Sequence, residues 1–277
     1  MIVDPDAPLM TPAEAAERFG WRRVLAFGAH PDDLDFGAAA TVAALIRAGV
    51  EVTYCVMTDG DAGGFDADTH DTIIERRHQE QRDAAAHLGV QQVEFMGERD
   101  GYLEPNHRVR SQVVALMRRH RPDVVIGMHP ERDWTRLQRS HPDHLAAGEA
   151  VVRASYPAVE NAFAYPELLE QGLEPFHLRW LLLFGGPQQH QNLLLDVTGS
   201  EQDKLTALRH HLSQHPDVSR MEDFVLGSMA DLHRGARARS ASGAPVQPDV
   251  EASQGSVRYA EAFHLVEVNA ADTISGF

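Results

Sequence analysis

The feature that most constrains how this chain can fold is a rhythm. From Arg23 to Ala150 a short apolar run, a polar loop and a helix-length segment succeed one another four times. "RVLAFGA" precedes "FGAAATVAALIRAG", where Phe36, Ala39, Ala40, Leu45 and Ile46 suit one helical face. "EVTYCVMTDG" leads to "TIIERRHQEQRDAAAHLG", which closes on Gly89, a residue suited to a helix C-terminus. "VQQVEFMG" leads to "HRVRSQVVALMRRH", and "RPDVVIGM" leads through a long loop to "HPDHLAAGEAVVRASY". Strands alternating with helices predict a doubly wound α/β fold: Rossmann-like, three α/β/α layers, with a mostly parallel central sheet. In that architecture ligands bind just beyond the C-terminal ends of the strands.

Beyond Ala150 the pattern is less regular. "LRWLLLFGG" and "NLLLDV" predict two further strands, and "EQDKLTALRHHLSQH" and "RMEDFVLGSMADLHRG" predict two helices. A stretch rich in Ser, Ala, Gly and Pro, about 236–256, is expected to be a mobile loop, with the segment 257–277 packing back. The chain 1–277 therefore reads as one domain with its core over about 23–215.

Composition narrows the partners. With 25 Lys plus Arg against 41 Asp plus Glu, the formal charge is -16, which argues against nucleic acid or an anionic membrane surface. A small-molecule substrate fits better. No apolar run reaches the ~20 residues of a membrane span, and the N-terminus lacks the layout of a signal peptide, so a cytoplasmic location is expected. The sequence leaves a homo-oligomer open. The single cysteine, Cys55, lies in the strand-like "EVTYCVM" and reads as a small core residue rather than a thiol nucleophile.

Against this background "GAHPDDLDFG", Gly28 to Gly37, demands an explanation, because carboxylates gathered at the end of a buried strand are costly unless compensated. Pro31 ends the strand at His30 and turns the chain. His30 and Asp33 can then face a common centre, and an imidazole with a carboxylate supplies two of the three protein ligands of a typical catalytic zinc. The third is expected from "SHPDHLAAGE", where His141 and His144 share one helix face and either can reach the site. Alone, "DD" suits a turn or cap and "HxxH" a structural pair; their shared position after strands is what points to a metal. Most of the 16 histidines need no such duty, and His87, His120, His210, His211, His215 and His233 read as ordinary helix or helix-end residues. Gly37 reads as a small residue that lets the next helix pack closely.

"AHPDD" with a following glycine, then "HPDH", resembles the LmbE-like or PIG-L family of metal-dependent N-deacetylases. "MTDGDAGG", "ERRHQEQRDAAAHLG" and "GERDG" support the resemblance, which runs from about Arg23 to about Glu149. It implies hydrolysis of an N-acetylated amino sugar by a water that a metal activates. Zn²⁺ is expected, with Fe²⁺ or another divalent ion chemically allowed. His30, Asp33 and His144 would bind the metal, Asp32 would be the general base, His141 would stabilise the oxyanion or protonate the amine, and Asp143 would orient a histidine. A cationic His141 would serve that purpose. Arg77 and Asp100 occupy places where such enzymes contact the sugar, although Arg77 also suits a solvated helix face and Arg76 is an alternative.

In "MHPERDWTRLQRSHPDH" the chain carries Arg139 where some thiol-pathway relatives carry tyrosine; His129 is a candidate to fill that role. Trp134 suits either sugar stacking or a buried anchor. Two other readings remain: an amidase acting on a thiol conjugate, and a Rossmann-like nucleotide-binding module without hydrolase activity. The second lacks a G-x-G-x-x-G turn, and its acidic residues would repel pyrophosphate.

Overall fold

A computed structural model describes residues 9–65, 67–137, 140–242 and 257–270, and the following statements concern these. The repeating units fold as the periodicity predicts. β1 (Arg23–Gly28), β2 (Glu51–Thr58), β3 (Gln92–Glu98), β4 (Val124–Met128) and β5 (Trp180–Phe184) are parallel to their sheet neighbours in the order β3-β2-β1-β4-β5. β7 (Ala260–Glu267) then inserts antiparallel between β5 and β6 (Leu193–Asp196), completing a seven-stranded sheet. The near-continuous burial of β1, β4 and β5 is what a parallel sheet covered on both faces requires.

On one face α2 (Asp33–Arg47) packs with α1 (Pro12–Phe19), α3 (Ile73–Leu88) and α7 (Glu201–Arg209). α4 (His107–His120) and α5 (Pro142–Arg153) pack together and against β1. The three-layer fold follows. α1 lies outside the expected core yet carries a complete capping box: the Thr11 hydroxyl accepts the Glu14 N–H and the Glu14 carboxylate accepts the Thr11 N–H. Gly37 lets α2 approach β5, since a Cβ there would run into the Phe184 ring. Cys55 is fully buried, and burial pushes its thiol up, away from nucleophilic use.

α6 (Pro166–Glu170) is a short piece within the irregular region, and α8 (Val218–Ser242) continues past Ala236, where the loop was expected to begin. Helix-forming Ala and Arg in "ARARS" allow that extension. The rest of the expected loop, 243–256, lies outside the described residues. The C-terminal strand is tied in by a buried pair, Lys204 Nζ to Glu261 Oε1 at 2.5 Å, while Lys204 also donates to the Phe36 carbonyl at 2.6 Å. α7, β7 and α2 are thereby held together. Among the described residues no helix is long and apolar enough to cross a membrane.

Candidate active site

The polar clusters meet where the sheet reverses its winding. β1 and β4 are adjacent, but α2 after β1 and α5 after β4 belong to different helix layers, which opens a crevice at the C-terminal ends of the strands. After β1 the chain turns through His30 and Pro31 into Asp32, whose φ of 109° is a strained conformation for a residue with a side chain. Its N–H is satisfied by Gln81 Oε1 of α3 at 2.9 Å. Asp33 then opens α2, with Oδ2 accepting the His30 N–H at 2.7 Å and lying 3.3 Å from His30 Nδ1. Asp33 Oδ1 lies 3.1 Å from His144 Nε2.

From the other side His141 caps α5. Its Nδ1 accepts the Asp143 N–H at 3.2 Å, so in the neutral ring the proton is assigned to Nε2. Asp143 is fully buried and accepts the N–H groups of Gly101 at 2.6 Å and Leu103 at 3.3 Å. Its Oδ2 also lies 3.3 Å from His30 Nε2, so the expected orienting aspartate contacts His30. Asp100 Oδ1 is 3.1 Å from the same nitrogen. The rings of His30, His141 and His144 stand 4.9 to 5.3 Å apart.

Charge follows from this crowding. Burial opposes an imidazolium at His30, but hydrogen bonds to Asp100, Asp143 and Asp33 outweigh it and push its pKa up to about 12. Burial likewise opposes ionisation of Asp33, yet His144 and His30 hold its carboxyl well below the ordinary range. His141 goes the other way: burial, then the charges of His30 and His144, lower its pKa. The expected cationic His141 is therefore disfavoured in this arrangement.

The donor set fits a divalent cation. Two trios, His30 with His141 and His144, and His30 with Asp100 and Asp143, each bring one ligand atom per residue within 4.8 Å of one another; Asp33 is in neither, but its oxygens lie 3.3 Å from His30 and 3.1 Å from His144. Imidazole nitrogens and carboxylate oxygens are the donors a divalent cation takes, with His30 as a neutral ligand.

The other expected contacts divide. Arg77 is 4% exposed, not on a solvated face: it donates to the carbonyls of Gly60 at 2.9 Å and Pro31 at 2.7 Å. It also stands 3.6 Å from Asp32 and 3.7 Å from Asp100, binding the first three strand-end loops from beneath. Gly60 is required there, with φ of 66° and no room for a Cβ against the guanidinium. Arg76, the alternative, pairs with Glu80 at 3.2 Å on the surface. Asp100 turns to His30 rather than standing free for sugar hydroxyls. His129 is also turned elsewhere: its Nδ1 accepts the Glu131 N–H, its Nε2 faces His264 at 3.1 Å, and its ring stacks with those of His190 and His264. Trp134 is 82% exposed, which excludes the buried anchor. Arg139 lies outside the described residues.

Two histidines taken as ordinary belong here. His215 Nε2 lies 3.2 Å from Asp32 Oδ2, and His211 Nε2 lies 2.9 Å from Asp35 Oδ2, itself bonded to Gln81 Nε2 at 2.8 Å. Their spacing, one helical turn, was the available signal.

Fold and centre together define a class: a three-layer α/β enzyme with an imidazole and carboxylate site at its switch point. The family model for PIG-L, GlcNAc-PI de-N-acetylase, matches residues 25–155. The chain is 31% identical over 200 residues to diacetylchitobiose deacetylase of Thermococcus kodakarensis, covering 71% of each. It is 30% identical over 201 residues to a probable N-acetyl-alpha-D-glucosaminyl L-malate deacetylase 2 of Bacillus cereus, covering 70% of this chain and 84% of the relative. The structure of N,N'-diacetylchitobiose deacetylase from Pyrococcus horikoshii superposes with a TM-score of 0.75 at 27% identity, over 89% of this chain and 84% of that one. The chain belongs to the PIG-L, or LmbE-like, family of deacetylases, and it is a hydrolase of that class.

Proposed function

We propose that this enzyme removes the N-acetyl group from an N-acetylglucosamine-type sugar, with a divalent metal, zinc first, held by His30, Asp33 and His144. The observation that carries the proposal is the Asp33 carboxylate, which touches His30 with one oxygen and His144 with the other, directly beside the strained Asp32. A divalent ion held by these residues would supply Lewis acidity to the amide carbonyl and would lower the pKa of a water.

The chain's own residues do the rest. Asp32 Oδ2 is occupied by His215, which leaves Oδ1 to take a proton from the attacking water. The His141 Nε2–H donates to the carbonyl oxygen as negative charge develops, and the proton that Asp32 took from the water passes to the amine as the C–N bond breaks. Asp143, locked by two backbone N–H groups, fixes His30 from behind. Trp134 and Arg139 are proposed to meet the rest of the substrate, while Arg77 and Asp100 support the site from beneath. We further read residues 1–277 as one deacetylase domain working in the cytoplasm.

Three carboxylates around His30 disfavour a nucleotide pyrophosphate at this crevice. The direct test measures bound metal in purified protein and acetate release from N,N'-diacetylchitobiose, with and without chelator. Metal-dependent acetate release is expected; full activity in chelator, or no release from any N-acetylglucosamine conjugate, overturns the proposal. Release from thiol conjugates alone would favour the amidase.

A further inference from the structure

We infer that Gln81 and His215 hold the proposed general base Asp32 from two sides and are positioning residues for the reaction. The inference rests on the proposed role of Asp32. It begins with that residue's backbone: a φ of 109° is strained for a residue with a side chain and persists only where the surroundings over-determine it.

The surroundings do so. Gln81 is fully buried, and its amide has one workable orientation. Nε2 donates to Asp35 Oδ2 at 2.8 Å and Oε1 accepts the Asp32 N–H at 2.9 Å; the reversed amide would set donor against donor and oxygen against carboxylate. Asp35, also fully buried, is held in turn by His211 Nε2 at 2.9 Å. A hydrogen-bonded chain therefore runs from the turn after α7, through the first turn of α2 and across α3, to the strained peptide of Asp32.

The same turn supplies the second hold. The His215 N–H donates to the His211 carbonyl at 3.0 Å, closing the turn that carries both histidines. His215 Nε2 reaches Asp32 Oδ2 at 3.2 Å, and its ring packs edge-on against Phe36 at 4.8 Å. Arg77 Nη2 stands 3.6 Å from that same oxygen. The backbone is thus fixed by Gln81 and the carboxylate plane by His215, so Oδ1 is presented in one direction. A displacement of about 1 Å at such a group can cost on the order of 100-fold in rate.

The test uses the metal-loaded enzyme, with acetate release as the readout and metal content and unfolding temperature measured alongside. Gln81→Met removes the acceptor but keeps the volume; His215→Phe keeps the packing on Phe36 but removes the donor; His215→Gln restores an N–H at the position of Nε2. The expected result is a fall in kcat of roughly 10-fold or more for Gln81→Met and His215→Phe, with KM and metal content at wild-type values, and recovery of most of kcat in His215→Gln. If Gln81→Met does not fold, the two His215 variants carry the test. The inference is overturned if His215→Phe matches wild type, if its loss lies in KM alone, or if His215→Gln is as impaired as His215→Phe. Inactive wild type would instead count against the proposed function itself.

Discussion

Asp33 Oδ1 and His144 Nε2 meet at 3.1 Å, although one residue opens the helix after β1 and the other lies in the first turn of the helix after β4. This contact links the two helices that flank the crevice, and it separates Asp33 from its neighbour Asp32, which faces Gln81 and His215 instead. Adjacent aspartates thus point into different environments, and the proposed division between ligand and base follows from that.

Substituting the two aspartates should separate the two roles. Asp32→Asn keeps the hydrogen-bonding shape and is expected to retain bound metal while losing about 100- to 10,000-fold in kcat. Asp33→Ala removes the contact to both histidines and is expected to lose the metal. Metal analysis beside acetate release checks this; equal metal content and equal activity in both variants would falsify the division.

Metal uptake should release a proton. With its pKa pushed up to about 12, His30 is protonated in the metal-free protein at neutral pH, and it must lose that proton to become a ligand. Affinity is therefore expected to rise with pH, by up to about tenfold per unit across the neutral range. Chelator competition at about pH 6, 7 and 8 measures the slope, and a flat profile would contradict the proton's place on His30.

Arg77→Met should act chiefly on stability. It strands the buried carbonyls of Pro31 and Gly60 and removes a cation from between Asp32 and Asp100. A loss of about 2–4 kcal/mol is expected, roughly 3–7 °C in unfolding temperature. Calorimetry would show it; an unchanged transition would mean that the loops hold without the guanidinium.

The imidazole stack should make the fold acid-sensitive. Burial, then the charges of His264 and His190, lower the pKa of His129 to about 4, against about 6.5 in an unfolded chain. The unfolded chain takes up that proton first, so the stabilisation is complete above about pH 6.5 and is lost as pH falls towards 4. By about pH 5 the loss is about 2 kcal/mol. His264 is shifted in the same direction and adds to it. Unfolding temperatures should drop between about pH 7 and 5 in the wild type and less in His129→Gln; equal drops would remove His129 as the cause.

Much of the fold was legible because periodicity is local. Each strand and helix from Arg23 to Arg153 announces itself in its own stretch of chain, and β5 and β6 do so as continuous apolar runs. α1 was equally legible through its Thr11 and Glu14 capping box, although it stands ahead of the repeating strand and helix units. The end of α8 was not, since "ARARSAS" has helix-forming residues inside a stretch whose composition suggests a loop.

By itself the sequence determined the order of strands and helices, the rim on which "HPDD" and "HPDH" lie, and the family, because local periodicity and compact motifs carry that information. Only the tertiary structure decided the partners. It put His211 and His215 behind Asp32, drew Arg77 under three loops, aimed Asp100 at His30 and turned His129 into a stack with His190 and His264. The physical reason is that a buried charge settles wherever the fold supplies its counterpart, and that counterpart comes from another element of the chain.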